Sequence, residues 1–242
     1  MWNGRTIAVV LPTYRERNSI AAVVKGFEAL GVVDDIVVVN NNAEIGTSAE
    51  VSTTSAREVF EAKQGYGAAI QRGLREVDAD LVCVCEPDAT FDPADLLKLL
   101  PYSVECDAVF GSRTVSTFIW SGANMNWFLR WGNWAVAKLI EILYNTPYLS
   151  DVGCTYRLLS RECVSRIAPE FRSQGSRFGL EMQLLVVATG ERFVQVPVNY
   201  HPRVGESAVT GDLRKAFALG LDMIGLVVRI RVRRERLRSA RT

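Results

Sequence analysis

Histidine is almost missing from this chain: among 242 residues only His201 is present. His-rich metal sites and most His-based acid–base schemes are thereby excluded. The five cysteines (Cys83, Cys85, Cys106, Cys154 and Cys163) are odd in number and contain no C-x-x-C pair. That pattern argues against a zinc ribbon or a disulfide framework and for a reducing compartment. No apolar run reaches the roughly 20 residues needed to cross a bilayer; residues 217–228 come nearest and are interrupted by Asp222. The opening MWNGRTIAVVLP has no cleavage pattern, so no signal peptide is expected. Net charge is also low, at +1 from 28 Lys+Arg and 27 Asp+Glu. It is unevenly spread. Residues 229–242 carry seven Arg and one acid, a net of +6, which leaves 21 basic and 26 acidic groups, a net of −5, in the rest. A mildly acidic body does not fit a general nucleic-acid-binding domain.

What is present is a hydrophobic content of 48%, enough for a sizeable core. In the first half, short β-branched runs alternate with helical patterns. Strands are expected at residues 6–11, 35–40, 57–61, 81–85 and 108–110. Helices are expected at 18–30, capped by Asn18 or Ser19, at 67–77, and at 93–100. Such alternation implies an α/β fold with a mostly parallel central sheet and helices on both faces. In such sheets ligands lie beyond the carboxyl ends of the strands. Three polar clusters fall there: Pro12-Thr-Tyr-Arg-Glu16, Asn40-Asn-Asn42 and Glu86-Pro-Asp88. Carboxylates two residues apart after a strand, at a turn restricted by Pro87, suit a shared Mg²⁺ or Mn²⁺ whose other positions are filled by water and a diphosphate. The alternative for Asp92, directly before Pro93, is a helix cap.

In these residues the chain resembles the family 2 glycosyltransferases of the GT-A fold, within them the polyprenyl-phosphate branch that includes dolichyl-phosphate mannose synthases. The resemblance rests on ordered motifs between residues 7 and about 207: LPTYRE at 11–16, KQGYGAAIQRGL at 63–74, EPDATFDP at 86–93, GSR at 111–113, DVGCTYRLLSR at 151–161, FGLEMQLL at 178–185 and VPVNYHPRVGES at 196–207. It implies an inverting, metal-dependent transfer of sugar from a nucleotide-diphosphate donor to a polyprenyl phosphate. Pro12, Tyr14, Glu16, Asn41 and Gly67 would serve the donor, Glu86, Pro87 and Asp88 its diphosphate and metal. Arg113, Arg130, Arg157 and Arg203 would serve acceptor or phosphate groups. Asp88, Asp151 and Glu181 are the candidate catalytic residues, the last two as general bases if the acceptor is a sugar hydroxyl. A soluble or glycan hydroxyl acceptor, or a catalytically degenerate scaffold, are the alternatives.

The chain departs from the family pattern at three points. Asn40-Asn-Asn42 stands where two acids are usual, Glu86 replaces an Asp, and Ser207-Ala208 lacks the usual Lys, for which Arg214 or Lys215 is a candidate substitute. Residues 1–213 are read as one domain, with a nucleotide-sugar half (1–115) and an acceptor half (116–213), followed by an amphipathic, Arg-rich tail (214–242). Four of the five Trp lie at 120, 127, 131 and 134. This Trp-rich helical stretch and the tail suit peripheral attachment to a cytoplasmic membrane face. Self-association is left open.

Overall fold

The computed structural model of the chain describes residues 1–123, 127–204 and 213–239, and of residues 127–129 and 213–219 the backbone only. Short, β-branched segments form the strands: β1 (Ile7–Thr13), β2 (Asp35–Asn40), β3 (Arg57–Phe60), β4 (Leu81–Val84), β5 (Ala108–Ser112), β6 (Arg157–Ser160) and β7 (Phe193–Pro197). They make one sheet of order β3-β2-β1-β4-β6-β5-β7. Only β6 runs antiparallel, inserted between β4 and β5. The α/β, mostly parallel architecture is as expected, with the reversed strand held between two strands that precede it in the chain.

Alternation along the strands divides the core in two. Ile7, Val9 and Leu11 point to one face, packed with Ile20, Val24 and Phe27 of α1 (Arg17–Glu28). Ala8 and Val10 point to the other, beneath α3 (Tyr66–Glu76), which follows the short α2 (Thr47–Val51). A Cβ on Gly73 of α3 would fall 2.2 Å from Val10 Cγ1, so this helix sits closer to β1 than any side chain permits. The expected helix at 93–100 is composite: a 3₁₀ turn at Pro93–Asp95, α4 (Leu96–Leu99), and a second 3₁₀ segment at Leu100–Val104. Pro101, lacking an N–H, ends the α-helical ladder. Asp92 caps the first turn by accepting from Ala94 N at 2.9 Å.

The second half adds α5 (Trp127–Tyr144), α6 (Arg161–Ile167), α7 (Phe178–Thr189), α8 (Leu213–Val232) and α9 (Arg234–Ser239). All twelve residues of α7 are buried, Glu181 and Gln183 among them, as befits a mainly apolar helix between the sheet and an outer helical layer. The tail expected beyond residue 213 is instead continuous with this core. Leu226, Val227 and Ile230 of α8 and Leu237 of α9 are buried in the same cluster as α7, and Tyr144 Oη donates to Val227 O at 2.8 Å. The opposite face of α8 leaves Leu221, Ile224, Val228 and Val232 exposed. No described helix is long and apolar enough to cross a membrane.

Candidate active site

The carboxyl ends of β1 and β4 bring the first cluster together. Glu16 precedes α1, but its side chain turns back: Oε2 accepts from Tyr14 N (2.7 Å) and Arg15 N (2.9 Å), closing the turn after β1. The expected caps of this helix do something else. No side chain caps it, and the Ser19 hydroxyl instead donates to Pro87 O at 2.6 Å, tying α1 to the Glu86-Pro87-Asp88 loop. Tyr14 is exposed, while Pro12 is buried at the end of β1.

In that loop Asp88 is buried, and its Oδ1 accepts from Thr90 N (3.0 Å) and Thr90 Oγ1 (2.6 Å). This turn at an Asp two residues before a Thr is a local feature that marks Thr90 in the sequence. Ala89 between them has φ +63°, a left-handed conformation rare for a residue with a Cβ and characteristic of functional sites. Residues 201–204 run alongside, with His201 N donating to Thr90 O and Val204 N to Asp88 O. Arg203 is thereby held over the loop, 3.0 Å from Glu16 Oε1 and 3.4 Å from Asp88 Oδ2. The Glu86 carboxylate makes no hydrogen bond or ion pair to another described residue. Burial and the neighbouring Asp88 push its pKa up to about 7, against the opposing pull of Arg203 and Arg113. Glu16, Glu86, Asp88 and Arg203 thus form one charged cluster.

The remaining expected residues do not all join it. Asn41 is saturated: its amide donates to Glu61 O (2.8 Å) and Lys63 O (2.9 Å), and its oxygen accepts from Gly65 N (2.8 Å) and Gln64 Nε2 (3.2 Å). It pins the β3–α3 loop instead of offering free groups to a ligand. Gly67 also serves packing, since a Cβ there would lie 2.6 Å from Phe178 Cβ and 2.8 Å from Ser173 O. Arg113 and Asp151 pair with each other: Arg113 N and Nε reach Asp151 Oδ2 at 2.9 Å, and Nη2 reaches Oδ1 at 3.0 Å. Gly153 N adds a fourth donor to this carboxylate. Burial raises the Asp151 pKa, but Arg113 beside it outweighs burial and holds it below the usual carboxylate range.

Two of the expected residues are engaged within the protein. Arg157 is buried, donates to Cys154 O and Gly179 O, and lies over the Phe110 ring. Glu181 is also enclosed, and its Oε2 accepts from Arg172 N (3.1 Å) and Ser173 N (2.8 Å), bracing the segment before α7. Arg130 is exposed on α5 without a hydrogen bond or ion pair to another described residue. Ser207-Ala208 and the side chains of Arg214 and Lys215 lie outside the described residues. One organiser went unmarked in the sequence. Gln195 on β7 accepts from Ser150 N and Asp151 N and donates to Asp151 O, fixing the loop that carries Asp151. Its partners lie more than 40 positions away, beyond any local pattern.

A mostly parallel sheet with one reversed strand, and an acidic pair beyond β4 facing a cluster beyond β1, is the arrangement of the GT-A fold. A model of Glycosyl transferase family 2 matches residues 8–167, and the chain belongs to that family. It is therefore a glycosyltransferase. It is 29% identical over 225 residues to an uncharacterized glycosyltransferase of Mycobacterium tuberculosis, covering 90% of this chain and 96% of that one. It is 25% identical over 244 residues to the undecaprenyl-phosphate mannosyltransferase of Micrococcus luteus, covering 96% and 98%. Among solved structures, glucosyl-3-phosphoglycerate synthase from M. tuberculosis superposes with a TM-score of 0.71 at 18% identity, covering 94% of this chain and 79% of that one.

Proposed function

We propose that this enzyme moves a sugar from a nucleotide-diphosphate donor to the phosphate of a polyprenyl lipid at a membrane surface, with Mg²⁺ or Mn²⁺ at Glu86 and Asp88. Among the described residues no three acidic, His or Cys side chains form a complete metal cage. Two carboxylates at a strand end supply a partial oxygen set, the kind that suits a cation also held by a substrate diphosphate. Bound there, the cation would neutralise charge on the leaving diphosphate. Likeness to the undecaprenyl-phosphate mannosyltransferase favours the lipid acceptor, and solved complexes of glucosyl-3-phosphoglycerate synthase with UDP and Mn²⁺ or Mg²⁺ favour the donor and the metal.

One observation carries the choice of acceptor. A hydroxyl acceptor needs a general base, and both expected bases are committed to structure: Asp151 to Arg113 and Gly153, Glu181 to the 172–173 backbone. Asp151 is moreover held ionised by its partner, which weakens it as a proton acceptor. A phosphate oxygen is already anionic and attacks without a base. The enzyme's own contribution is then positioning. Pro12, Tyr14 and Glu16 flank the donor, Arg203 meets its diphosphate, and Arg130 is a cation on the acceptor side whose side chain has no polar partner among the described residues. Direct displacement inverts the anomeric carbon. Exposed Trp131 and Trp134 on α5, with the outward apolar face of α8, provide the membrane contact.

Labelled nucleotide sugars offered with short polyprenyl phosphates or with hydroxyl acceptors test this reading. Transfer to the lipid phosphate is expected; transfer only to hydroxyls contradicts it and favours a soluble or glycan acceptor.

A further inference from the structure

Between α7, α8 and the segment before α7 lies a cavity of about 140 Å³ that shares no lining residue with the carboxylate cluster. Four arginines line it, Arg172, Arg177, Arg229 and Arg233, against two acids, Glu170 and Glu181. Both acids are already engaged. Glu170 pairs with Arg233, with Arg236 at 3.6 Å and with Arg172 at 3.8 Å, and Glu181 accepts from two backbone N–H groups. Arg177 pairs with Asp222 at 2.7 Å on the exposed flank. Arg229 is exposed, and its guanidinium makes no hydrogen bond or ion pair to another described residue. The lining therefore carries net positive charge with one arginine uncommitted.

Helical periodicity places this cavity beside the apolar stripe. On α8, Leu226, Val227 and Ile230 face the core and Leu221, Ile224, Val228 and Val232 face outward. Asp222, Arg229 and Arg233, spaced by seven and four residues, occupy the flank between those two faces. A cationic recess at the border of an exposed apolar helix face matches a molecule with a phosphate head and a hydrocarbon tail. Guanidinium groups suit phosphate oxygens in bidentate geometry, and an apolar helix face suits the acyl boundary of a bilayer.

We infer that the α7–α8 cavity is a second phosphate-binding site, distinct from the sugar-transfer centre, that takes the headgroup phosphate of an anionic bilayer lipid while the outward face of α8 rests on the acyl chains. The inference rests on the reading that the enzyme works at a membrane surface. It adds a specific headgroup site and makes docking depend on lipid charge.

Flotation of the full chain with vesicles of phosphatidylcholine, with or without phosphatidylglycerol, tests it. Wild type is expected to float preferentially with the anionic vesicles. Arg229→Gln, which breaks no observed contact, weakens that binding about fivefold, and Arg177→Gln/Arg229→Gln roughly 30-fold. An equal charge loss elsewhere, Arg75→Gln/Arg161→Gln, changes it less than about twofold. Undiminished binding by the cavity variants, or an equal loss in the Arg75/Arg161 control, overturns the inference. It is also overturned if inorganic phosphate raises the melting temperature of wild type but not of Arg229→Gln while anionic vesicles are not preferred; the ligand is then a soluble phosphate. Transfer to a water-soluble short-chain polyprenyl phosphate without vesicles is unchanged in these variants. If wild type fails that assay the acceptor reading falls, whereas vesicle binding decides the cavity by itself.

Discussion

Two regions of the molecule handle charge in opposite ways. At the ends of β1 and β4, Glu16, Asp88 and Arg203 are drawn into a partly enclosed cluster fixed by backbone hydrogen bonds and by Ser19 reaching across to Pro87. In the α5–α8 layer, Trp131, Trp134, Arg130, Arg229 and the outer face of α8 stay exposed, and several have no polar partner among the described residues. A leaving diphosphate demands groups preorganised within tenths of an ångström. A lipid surface demands area and charge, with little call for fixed geometry. Substitutions in the first region should therefore act on turnover and folding, those in the second on partitioning.

The largest effect is expected at Asp88. Asp88→Asn keeps shape and removes the charge, and kcat in the folded fraction should fall about 10³-fold; full activity would dissolve the contrast at its strongest point. Next comes Asp151→Asn. Breaking a buried pair costs about 3–5 kcal/mol, to be read by denaturant unfolding, while kcat on a lipid-phosphate acceptor, in the folded fraction, changes only a few-fold. Its pH signature follows from the lowered pKa of Asp151. The pair contributes fully above the unfolded carboxylate value of about 3.9, and the contribution fades as pH falls through the lower folded value. Acid unfolding of Asp151→Asn should lack that component. Gly65→Ala should cost about 1–3 kcal/mol, because Gly65 has φ +151° and a Cβ there would lie 2.3 Å from Gln174 O. The smallest effect on folding is expected at the exposed Val228: Val228→Ser should shift stability by less than about 0.5 kcal/mol yet weaken vesicle binding.

Much of the first half is written locally. The runs at 35–40 and 81–85 declare their strands, and the acids after the second lie where the sheet topology sends ligands. Asp92 before Pro93 is a cap in both sequence and structure. What escapes a local pattern is pairing over long separations. The reversed β6 joins β4 across more than 70 residues, and Arg203 meets Glu16 across 187 positions. Arg157 and Glu181 sit in recognisable motifs, but a motif does not say whether a charged side chain faces a ligand or satisfies buried backbone. Both do the latter. The apolar residues of α8 carry the same ambiguity. Among the described ones, Leu226, Val227 and Ile230 complete the core while Leu221, Ile224, Val228 and Val232 face outward, and only packing against α7 tells which.

Nucleotide binding at the strand-end cluster is tested most directly by melting temperature in the presence of UDP or GDP with Mn²⁺, wild type beside Asp88→Asn. A ligand present at about 100 times its Kd stabilises by about 2.7 kcal/mol. Wild type should therefore show a metal-dependent rise with one of the two nucleotides, and Asp88→Asn should show little or none. Equal rises in both proteins, or no rise in either, would contradict the assignment of Glu86 and Asp88 as the centre that holds the donor diphosphate.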